Sequence, residues 1–219
     1  SRGMSEFQQN ATLEGLEDLP HLDRYCYHVA GVVGEMLTEL FCDYSPEIDR
    51  KRETLYPLAV SFGQGLQMTN ILKDVWEDRH RGACWLPRQV FREAGFDLRD
   101  LKPGLSDESY FRGMEELIAV ARSHLENALA YTLLVPARET GIRRFCLWAL
   151  GMAVLTLRKL YRRLDFSSGE QVKITRRSVK ATIAVTSLTV RNDALLRILF
   201  ESLTRQLPVP NGQRRPVSI

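Results

Sequence analysis

The sequence has little cysteine and little histidine, and neither residue type is clustered. Its four cysteines include no C-x-x-C pair and lie far apart along the chain, at Cys26, Cys42, Cys84 and Cys146. This pattern argues against a zinc ribbon or a disulfide framework, and it predicts reduced, mostly buried thiols in a cytoplasmic protein. The four histidines also lack the spacing of metal ligands. Metal binding through thiolate or imidazole ligands is therefore not expected.

Long apolar runs and a strong net charge are also missing. No run approaches the roughly eighteen apolar residues that cross a bilayer, and no signal peptide opens the chain. A formal net charge of +3 gives no reason to expect nucleic-acid binding. The 219 residues are 44% hydrophobic and 26% charged, which is an ordinary composition for one folded domain. We expect a single domain over residues 1–207 and a mobile tail over residues 208–219.

Helical periodicity runs through nearly all of the chain, and no segment alternates convincingly with a period of two. Helices are predicted at about 22–41, 57–79, 86–94, 106–133, 142–164, 176–188 and 191–207. Pro57 is expected in the first turn of its helix, and Ser106 is expected to cap the helix that follows it, because these residue types favour those positions. The sequence therefore predicts an all-α fold.

The segment NILKDVWEDRHRGACWLP carries a column of polar side chains. On a helix, Asn70, Asp74 and Asp78 follow one another at steps of about 40° and border an apolar face. Two partly buried carboxylates about 6 Å apart repel by roughly 3 kcal/mol at an effective dielectric of 20, so such a column favours a cation. Hard oxygen ligands of this kind select Mg²⁺. The alternative is a solvated polar face on which Lys73 and Arg79 offset the repulsion.

Small residues interrupt two other predicted helices. The segment YCYHVAGVVGEMLTELF contains Ala30, Gly31 and Gly34, and RRFCLWALGMAVLTL contains Ala149. Each glycine inside a helix costs about 1 kcal/mol of helix propensity, so it needs a compensating role. Small side chains let a second helix approach closely, or they leave room for a ligand. The residues themselves leave both interpretations open.

Taken in order, these segments resemble the squalene/phytoene synthase family. Asn70, Asp74, Glu77 and Asp78 follow YCYHVAGVVG, with GMSEF before that segment and RRFC and VKITRR after it. The resemblance covers almost all of the chain and is closest to the squalene synthase branch. It implies an all-α, terpene-synthase-type helical bundle around a central apolar cavity, of which this chain is the C-terminal part.

The resemblance also implies an enzymatic reaction. Two farnesyl diphosphates would be condensed head to head into presqualene diphosphate, which would then be converted to squalene with NADPH as the reductant. Mg²⁺ would neutralise the departing diphosphate, and an apolar cavity would shield the carbocation from water. Non-reductive coupling to phytoene, dehydrosqualene or hydroxysqualene is one alternative. A non-catalytic prenyl-lipid binding protein is another.

The same resemblance assigns roles to individual residues of this sequence. The Mg²⁺ ligands would be Asn70, Asp74 and Asp78. The residues near the reacting carbons would be Tyr25, which would steer proton loss or stabilise a cation, and Phe145, which would present its ring face to a carbocation. The substrate or cofactor phosphates would be bound by Gln67, Lys73, Lys173 and Arg176. Glu77 belongs to the metal-binding motif but points about 60° away from Asp74, and it would be a further substrate-binding residue. The cavity wall would include Ala30, Gly31, Gly34 and Ala149.

One element of the family is not found in this sequence. The first aspartate-rich motif of the family lies upstream of the GMSEF region, whereas the early acids here, Glu14, Glu17 and Asp18, fall in a loop-like segment. We therefore expect that these 219 residues lack an N-terminal portion of the enzyme and that this portion is a partner of the chain. Alone, the chain would bind a metal-diphosphate weakly, turn over little and expose apolar surface. The protein would have to meet its apolar product at a membrane surface, by peripheral contact, or pass the product on.

Overall fold

The structure is a computed structural model that describes residues 12–210. Within that range the regular elements are helical, apart from one isolated parallel bridge between Leu16 and Pro87. The α-helices are, in chain order, α1 Leu19–Cys26, α2 Val32–Tyr44, α3 Pro46–Asp49, α4 Arg52–Lys73, α5 Val75–His80, α6 Arg88–Glu93, α7 Glu108–Leu134, α8 Thr140–Tyr161, α9 Gly169–Val172, α10 Arg176–Thr189 and α11 Asp193–Thr204. A π-helical turn, Tyr27–Gly31, joins α1 to α2, and a 3-10 turn covers Leu98–Asp100. The all-α prediction is confirmed, while the GMSEF segment and residues 211–219 lie outside the described range.

The first predicted helix is longer and less regular than expected. It begins at Leu19, widens into the π-helical turn and ends at Tyr44. Asp18 caps α1, because its carboxylate accepts a hydrogen bond of 2.8 Å from the backbone N–H of His21. Asp18, one of the early acidic residues, is therefore the N-cap of a helix.

The second predicted helix is in fact two helices. The first, α4, starts at Arg52, so Pro57 lies inside it and not in its first turn. Regular helix stops at Lys73, since Asp74 has φ −98° and ψ 15°, and α5 resumes at Val75. The prediction of one helix through residue 79 was therefore wrong, and the break falls within the polar column.

The N-cap of α7 is Asp107 and not Ser106 as predicted. Asp107 has an extended backbone, and its carboxylate accepts a hydrogen bond of 2.9 Å from the N–H of Tyr110. Ser106 is exposed and lies one residue before the N-cap position. Gly95 ends the short segment after α6 with φ +90°, as its position in the sequence indicated.

The core is built around α4. This helix packs against α7, against α8 and against the continuous segment formed by α1, the π-helical turn and α2. The buried side chains of these helices form one apolar cluster. All four cysteines are buried and free, which confirms the expected buried thiols.

One helix, α8, is long and apolar enough to span a membrane by length and composition, with a mean hydropathy of 1.3 in its most apolar window. Its first turns also carry Arg143, whose side chain is 2% exposed. The guanidinium donates hydrogen bonds to the carbonyls of Leu133, Val135 and Val190 and to the Asp193 carboxylate. Because α8 packs in the core and joins the ends of three other helices, its composition is weak evidence for a membrane span.

Candidate active site

A polar pocket of about 440 Å³ opens where α1, α4 and α5 meet the loop that follows α5. Its walls are formed by Tyr25, Gln67, Asn70, Lys73, Asp74, Glu77, Asp78, Arg81 and Trp85. The structure therefore brings the three proposed Mg²⁺ ligands to one pocket, together with four other predicted site residues. Arg81 and Trp85 are additional members that the sequence analysis did not identify.

The polar column survives the break between α4 and α5. The N–H of Asp74 donates to the carbonyl of Asn70 at 2.8 Å, and the N–H of Asp78 donates to the carbonyl of Asp74 at 2.9 Å. These two hydrogen bonds keep the four-residue repeat that stacks the side chains along one direction. The column is only partly buried, because Asn70 is exposed and both aspartates are half-buried.

Like charges shape the electrostatics of the column. Burial raises the pKa of the Asp78 carboxyl above its usual range, and the carboxylates of Asp74 and Glu77 raise that pKa further. Arg81 and Lys73 oppose the shift, and the Lys73 ammonium lies 3.1 Å from the Asp74 carboxylate. The pocket therefore holds more negative charge than its own cations neutralise. It suits an added cation.

Arg79 does not balance the column as the sequence suggested. Its guanidinium donates hydrogen bonds to the carbonyls of Leu13 and Leu98, at 3.2 and 3.4 Å. It thereby ties two loops to the end of α5. Arg81, two residues later, supplies the positive charge to the pocket instead.

Glu77 points to a different part of the chain. Its Oε1 accepts a hydrogen bond of 2.9 Å from the N–H of Gly169, the first residue of α9. A Cβ atom at position 169 would lie only 3.0 Å from the same oxygen, so only glycine allows this approach without a shift. Glu77 therefore holds α9 against α5 while it lines the polar pocket, and its substrate-binding role stays a prediction.

The donor set fits part of a magnesium coordination shell. Asn70, Asp74 and Asp78 offer one amide oxygen and two carboxylates, which are the hard oxygen ligands that Mg²⁺ prefers. Among residues 12–210, no three His, Cys, Asp or Glu side chains converge closely enough to hold a metal by themselves. Diphosphate oxygens, water or further protein ligands would have to complete such a shell, as is usual for Mg²⁺.

An aromatic stack closes one side of the polar pocket. The rings of Tyr25 and Trp85 lie 4.4 Å apart, with an angle of 13° between their planes. Burial, and secondarily the Asp78 carboxylate, raises the pKa of Tyr25 to about 12, so its phenol keeps its proton at neutral pH. No spacing rule points to Trp85, because this contact forms between segments sixty residues apart.

An apolar chamber of about 250 Å³ adjoins the polar pocket. Its walls are formed by Val29, Ala30, Val33, Gly34, Leu37, Phe41, Ala59, Phe62, Gly63, Leu66, Gln67, Tyr131, Phe145, Cys146 and Ala149. Gln67 lines both spaces, so a molecule can have a polar end among the carboxylates and an apolar end in the chamber.

The structure separates the small residues by role. Ala30, Gly34 and Ala149 line the chamber, whereas Gly31 does not. A Cβ on Gly31 would lie 2.8 Å from the Tyr27 ring, so this glycine serves close packing inside the π-helical turn. Phe145 lines the chamber with 52% of its surface exposed, which places it on an open side.

The chamber lies beside an exposed apolar face of α2. Val33, Met36 and Leu40 are 42%, 54% and 55% exposed, and Val33 is also a chamber wall. Side chains of this kind are normally covered when they lie in contiguous patches. This exposed face of α2 agrees with the expectation that the chain exposes apolar surface.

Lys173 and Arg176 do not line the polar pocket. The Lys173 ammonium donates a hydrogen bond of 2.8 Å to Glu170, which raises the pKa of Lys173, and Asp74 adds a smaller attraction. Arg176 is exposed in the first turn of α10. The structure therefore places Lys173 at the edge of the site and gives Arg176 no visible part in it.

Comparison with known proteins identifies relatives along most of the chain. The squalene synthase ERG9 of Gibberella zeae is 27% identical over 217 residues, which cover 98% of this chain and 45% of the relative. The squalene synthase ERG9 of Saccharomyces cerevisiae is 29% identical, covering 94% of this chain and 47% of the relative. A chloroplastic phytoene synthase from an Oncidium hybrid cultivar is 38% identical over 104 residues, which cover 48% of this chain and 25% of the relative. The chain thus spans about half the length of the squalene synthases that it matches.

Solved structures share the fold. The complex of TcSQS with the ligand BPH1237 matches with a TM-score of 0.74 at 23% identity, covering 99% of this chain and 60% of that chain. A dehydrosqualene synthase in complex with a ligand matches with a TM-score of 0.63 at 21% identity, covering 81% and 59%. The fold is therefore the terpene-synthase-type helical bundle. The squalene/phytoene synthase family model matches residues 1–178 of the 219, and the chain belongs to this family of prenyl transferases.

Proposed function

We propose that this protein catalyses the Mg²⁺-dependent, head-to-head condensation of two farnesyl diphosphates through presqualene diphosphate to squalene, with NADPH as the reductant. The observation that carries the proposal is the junction at Gln67. A pocket lined by three carboxylates and two amides meets an apolar chamber there. The chain spans about half the length of its squalene synthase relatives, so the activity is proposed for the enzyme to which this chain contributes.

The polar pocket would bind the diphosphate end of the substrate. Asn70, Asp74 and Asp78 would hold Mg²⁺, which supplies charge neutralisation to a departing diphosphate. Lys73 and Arg81 line the same pocket and can donate hydrogen bonds to phosphate oxygens. Gln67 lies at the boundary and would orient the carbon that joins the diphosphate to the prenyl chain.

The apolar chamber would hold the prenyl chain and exclude water from the reacting carbons. Phe145 presents an aromatic ring on its wall, where a ring face attracts a cation. Tyr25 is a neutral phenol at neutral pH, as a tyrosine with the ordinary pKa of about 10 also is, so it can orient a hydrogen bond or present its ring without carrying charge. The stacked indole of Trp85 fixes the plane of that ring.

A binding site for the reductant is not formed by the residues expected to hold it. Lys173 is exposed and paired with Glu170, and Arg176 is exposed on α10. These side chains form no cradle for a dinucleotide, so we derive no reduction step from them. Reduction by NADPH is part of the proposal only through the relationship to squalene synthases.

The proposal includes a further helical segment of the same enzyme as a partner of this chain. Two carboxylates and an amide leave the metal shell incomplete, and Val33, Met36 and Leu40 leave apolar surface exposed beside the chamber. An acidic, amphipathic helix placed there would complete both features. An apolar product would also favour peripheral contact with a membrane.

The first test measures the binding of a substrate analogue. Farnesyl thiodiphosphate, which resists ionisation, should bind the 219-residue chain weakly by calorimetry, and binding should require Mg²⁺. In Asp74→Asn, Mg²⁺ should no longer strengthen the binding of farnesyl thiodiphosphate. Asp43 is an exposed aspartate on α2, and Asp43→Asn should leave the effect of Mg²⁺ on binding unchanged. Binding that is equally strong without Mg²⁺ and in Asp74→Asn would instead indicate a prenyl-lipid binding protein.

A second candidate function is non-reductive coupling of the phytoene synthase type. It is favoured by the phytoene synthase relative, which is 38% identical over 104 residues. The enzyme that includes this chain should be incubated with farnesyl or geranylgeranyl diphosphate, with and without NADPH. Squalene formed only in the presence of NADPH supports our proposal, while phytoene or an unreduced product formed equally without it supports the alternative.

A further inference from the structure

A second apolar cavity lies between α8, α10 and α11, with a volume of about 380 Å³. It shares no lining residue with the polar pocket or the apolar chamber. We propose that this cavity is a separate binding site for an unfunctionalised hydrocarbon chain. A volume of this size lies within the range of pockets that bind small apolar ligands.

The inner wall of the cavity is core and its outer wall is open. Leu150 and Val154 of α8 are 3% and 1% exposed, whereas Val185 of α10 is 42% exposed. The space is therefore an open groove over a floor of core side chains, and contiguous apolar surface of this kind is normally covered. Ligand pockets of this size are common, so an apolar occupant accounts for the space better than a packing defect does.

The polar groups of the wall do not point to a polar ligand. The hydroxyl of Thr182 donates to the carbonyl of Ser178 at 2.9 Å, and the hydroxyl of Thr186 donates to the carbonyl of Thr182 at 2.6 Å. The hydroxyl of Ser178 is bonded to that of Thr175 at 2.9 Å. Since α10 uses these three hydroxyl groups internally and the lining side chains are uncharged, Ser202 of α11 supplies the remaining hydroxyl and the wall offers no partner to a charged ligand.

The nearest charged space does not supply a site for a head group. A pocket of about 210 Å³ adjoins the cavity across Leu129 and Phe200, which line both. Its charged members are two arginines and two glutamates, Arg122, Glu126, Arg197 and Glu201. These charges cancel, so the neighbouring pocket has no preference for an anionic head group. The hydrocarbon chain itself is therefore the recognised element.

The helix α10 is suited to admit such a ligand. None of its side chains is buried, although it is fourteen residues long. It touches α8 closely at Gly151, where an added Cβ would lie 2.5 Å from the Thr182 methyl. The wall is open to solvent at Val185, so a ligand can reach the floor without displacing α10.

The experiment uses methyl-labelled 219-residue protein titrated with n-dodecane or with dodecanoate. Dodecane should shift the methyl resonances of Val154 and Leu199, which line the cavity. Dodecanoate should bind at least about tenfold more weakly, because its carboxylate must stay in water and keeps about two carbon groups of the chain out of the groove. Equal or tighter binding of dodecanoate would overturn the proposal, as would a lack of any shift with dodecane.

Two matched variants localise the binding. Val185→Phe fills the cavity and should weaken dodecane binding by about tenfold. Ile183→Phe changes a side chain of similar size and exposure that does not line the cavity, so it should stay within about twofold of the wild type. Equal effects of the two variants would refute the site.

A third variant acts in the opposite direction, which a folding defect cannot imitate. Leu203→Ala enlarges the cavity and should shift the preference from dodecane towards n-hexadecane. An unchanged preference would contradict the cavity as the binding site. Asp74→Asn should leave dodecane binding intact, so the outcome is independent of the proposed diphosphate chemistry.

Discussion

A close backbone contact at the chamber provides a sharp test of the structure. Gly63 of α4 faces the π-helical turn, and a Cβ added there would lie 2.4 Å from the carbonyl oxygen of Ala30 and 2.9 Å from the N–H nitrogen of Gly31. Both obstacles are backbone atoms, which cannot move aside by changing a rotamer. We predict that Gly63→Ala forces α4 away from the π-helical turn.

The expected cost follows from two opposing effects. Overpacking of a tight contact costs about 3 kcal/mol. Alanine recovers about 1 kcal/mol of helix propensity, because Gly63 lies inside a helix. The net loss of unfolding free energy is therefore about 2 kcal/mol, which corresponds to a lower Tm by roughly 4–8 °C for a domain of this size.

The assay is thermal unfolding followed by circular dichroism, with Gly141→Ala as the matched control. Gly141 lies in the first turn of α8, where an added Cβ meets nothing within 4 Å, so this variant should melt at or slightly above the wild-type temperature. Gly63→Ala should also weaken binding of a prenyl diphosphate, since Ala30 lines the chamber. A Gly63→Ala protein that melts within about 1 °C of the wild type would refute the close approach of these two segments.

Two further predictions concern buried polar side chains. Burial lowers the pKa of the His124 imidazole, and Asp23 only partly opposes this shift. The folded state therefore binds fewer protons than the unfolded chain just below the ordinary histidine pKa of about 6.5, and stability should fall as the pH drops through that window. Urea unfolding at a series of pH values should show this slope in the wild type and a flatter one in His124→Gln; an unchanged slope would contradict it. Arg143→Lys should cost about 2–4 kcal/mol of unfolding free energy, because lysine cannot reproduce the four hydrogen bonds of the buried guanidinium. The exposed control Arg191→Lys should stay within about 0.5 kcal/mol, and equal losses in the two variants would argue against this network.

The polar column could be read from the sequence because it depends on local geometry. Asn70, Asp74 and Asp78 recur at the four-residue spacing, and the hydrogen bonds between their backbones preserve that spacing even where α4 gives way to α5. The break itself was not predicted, since nothing in the local pattern distinguishes Asp74 from its neighbours. The metal and substrate roles of these residues remain predictions.

Other members of the site depend on contacts between distant segments. Trp85 joins the pocket by stacking on Tyr25, and Glu77 is drawn to Gly169, ninety-two residues away. A helical wheel places Glu77 beside the column but cannot show which of its neighbours will reach it first. These contacts are fixed by how helices cross, and helix crossing is not encoded in any short spacing.

The sequence by itself determined the helical class, the approximate positions of the helices and the acidic column, because hydrogen bonding and side-chain periodicity within a helix involve residues only a few positions apart. Only the tertiary structure decided that Gln67 faces both the polar pocket and the apolar chamber, and that Gly34 lines the chamber while Gly31 packs inside a turn. The physical reason is that a cavity is the space left between helices. Its shape depends on distances of a few tenths of an ångström between backbones that are remote in sequence.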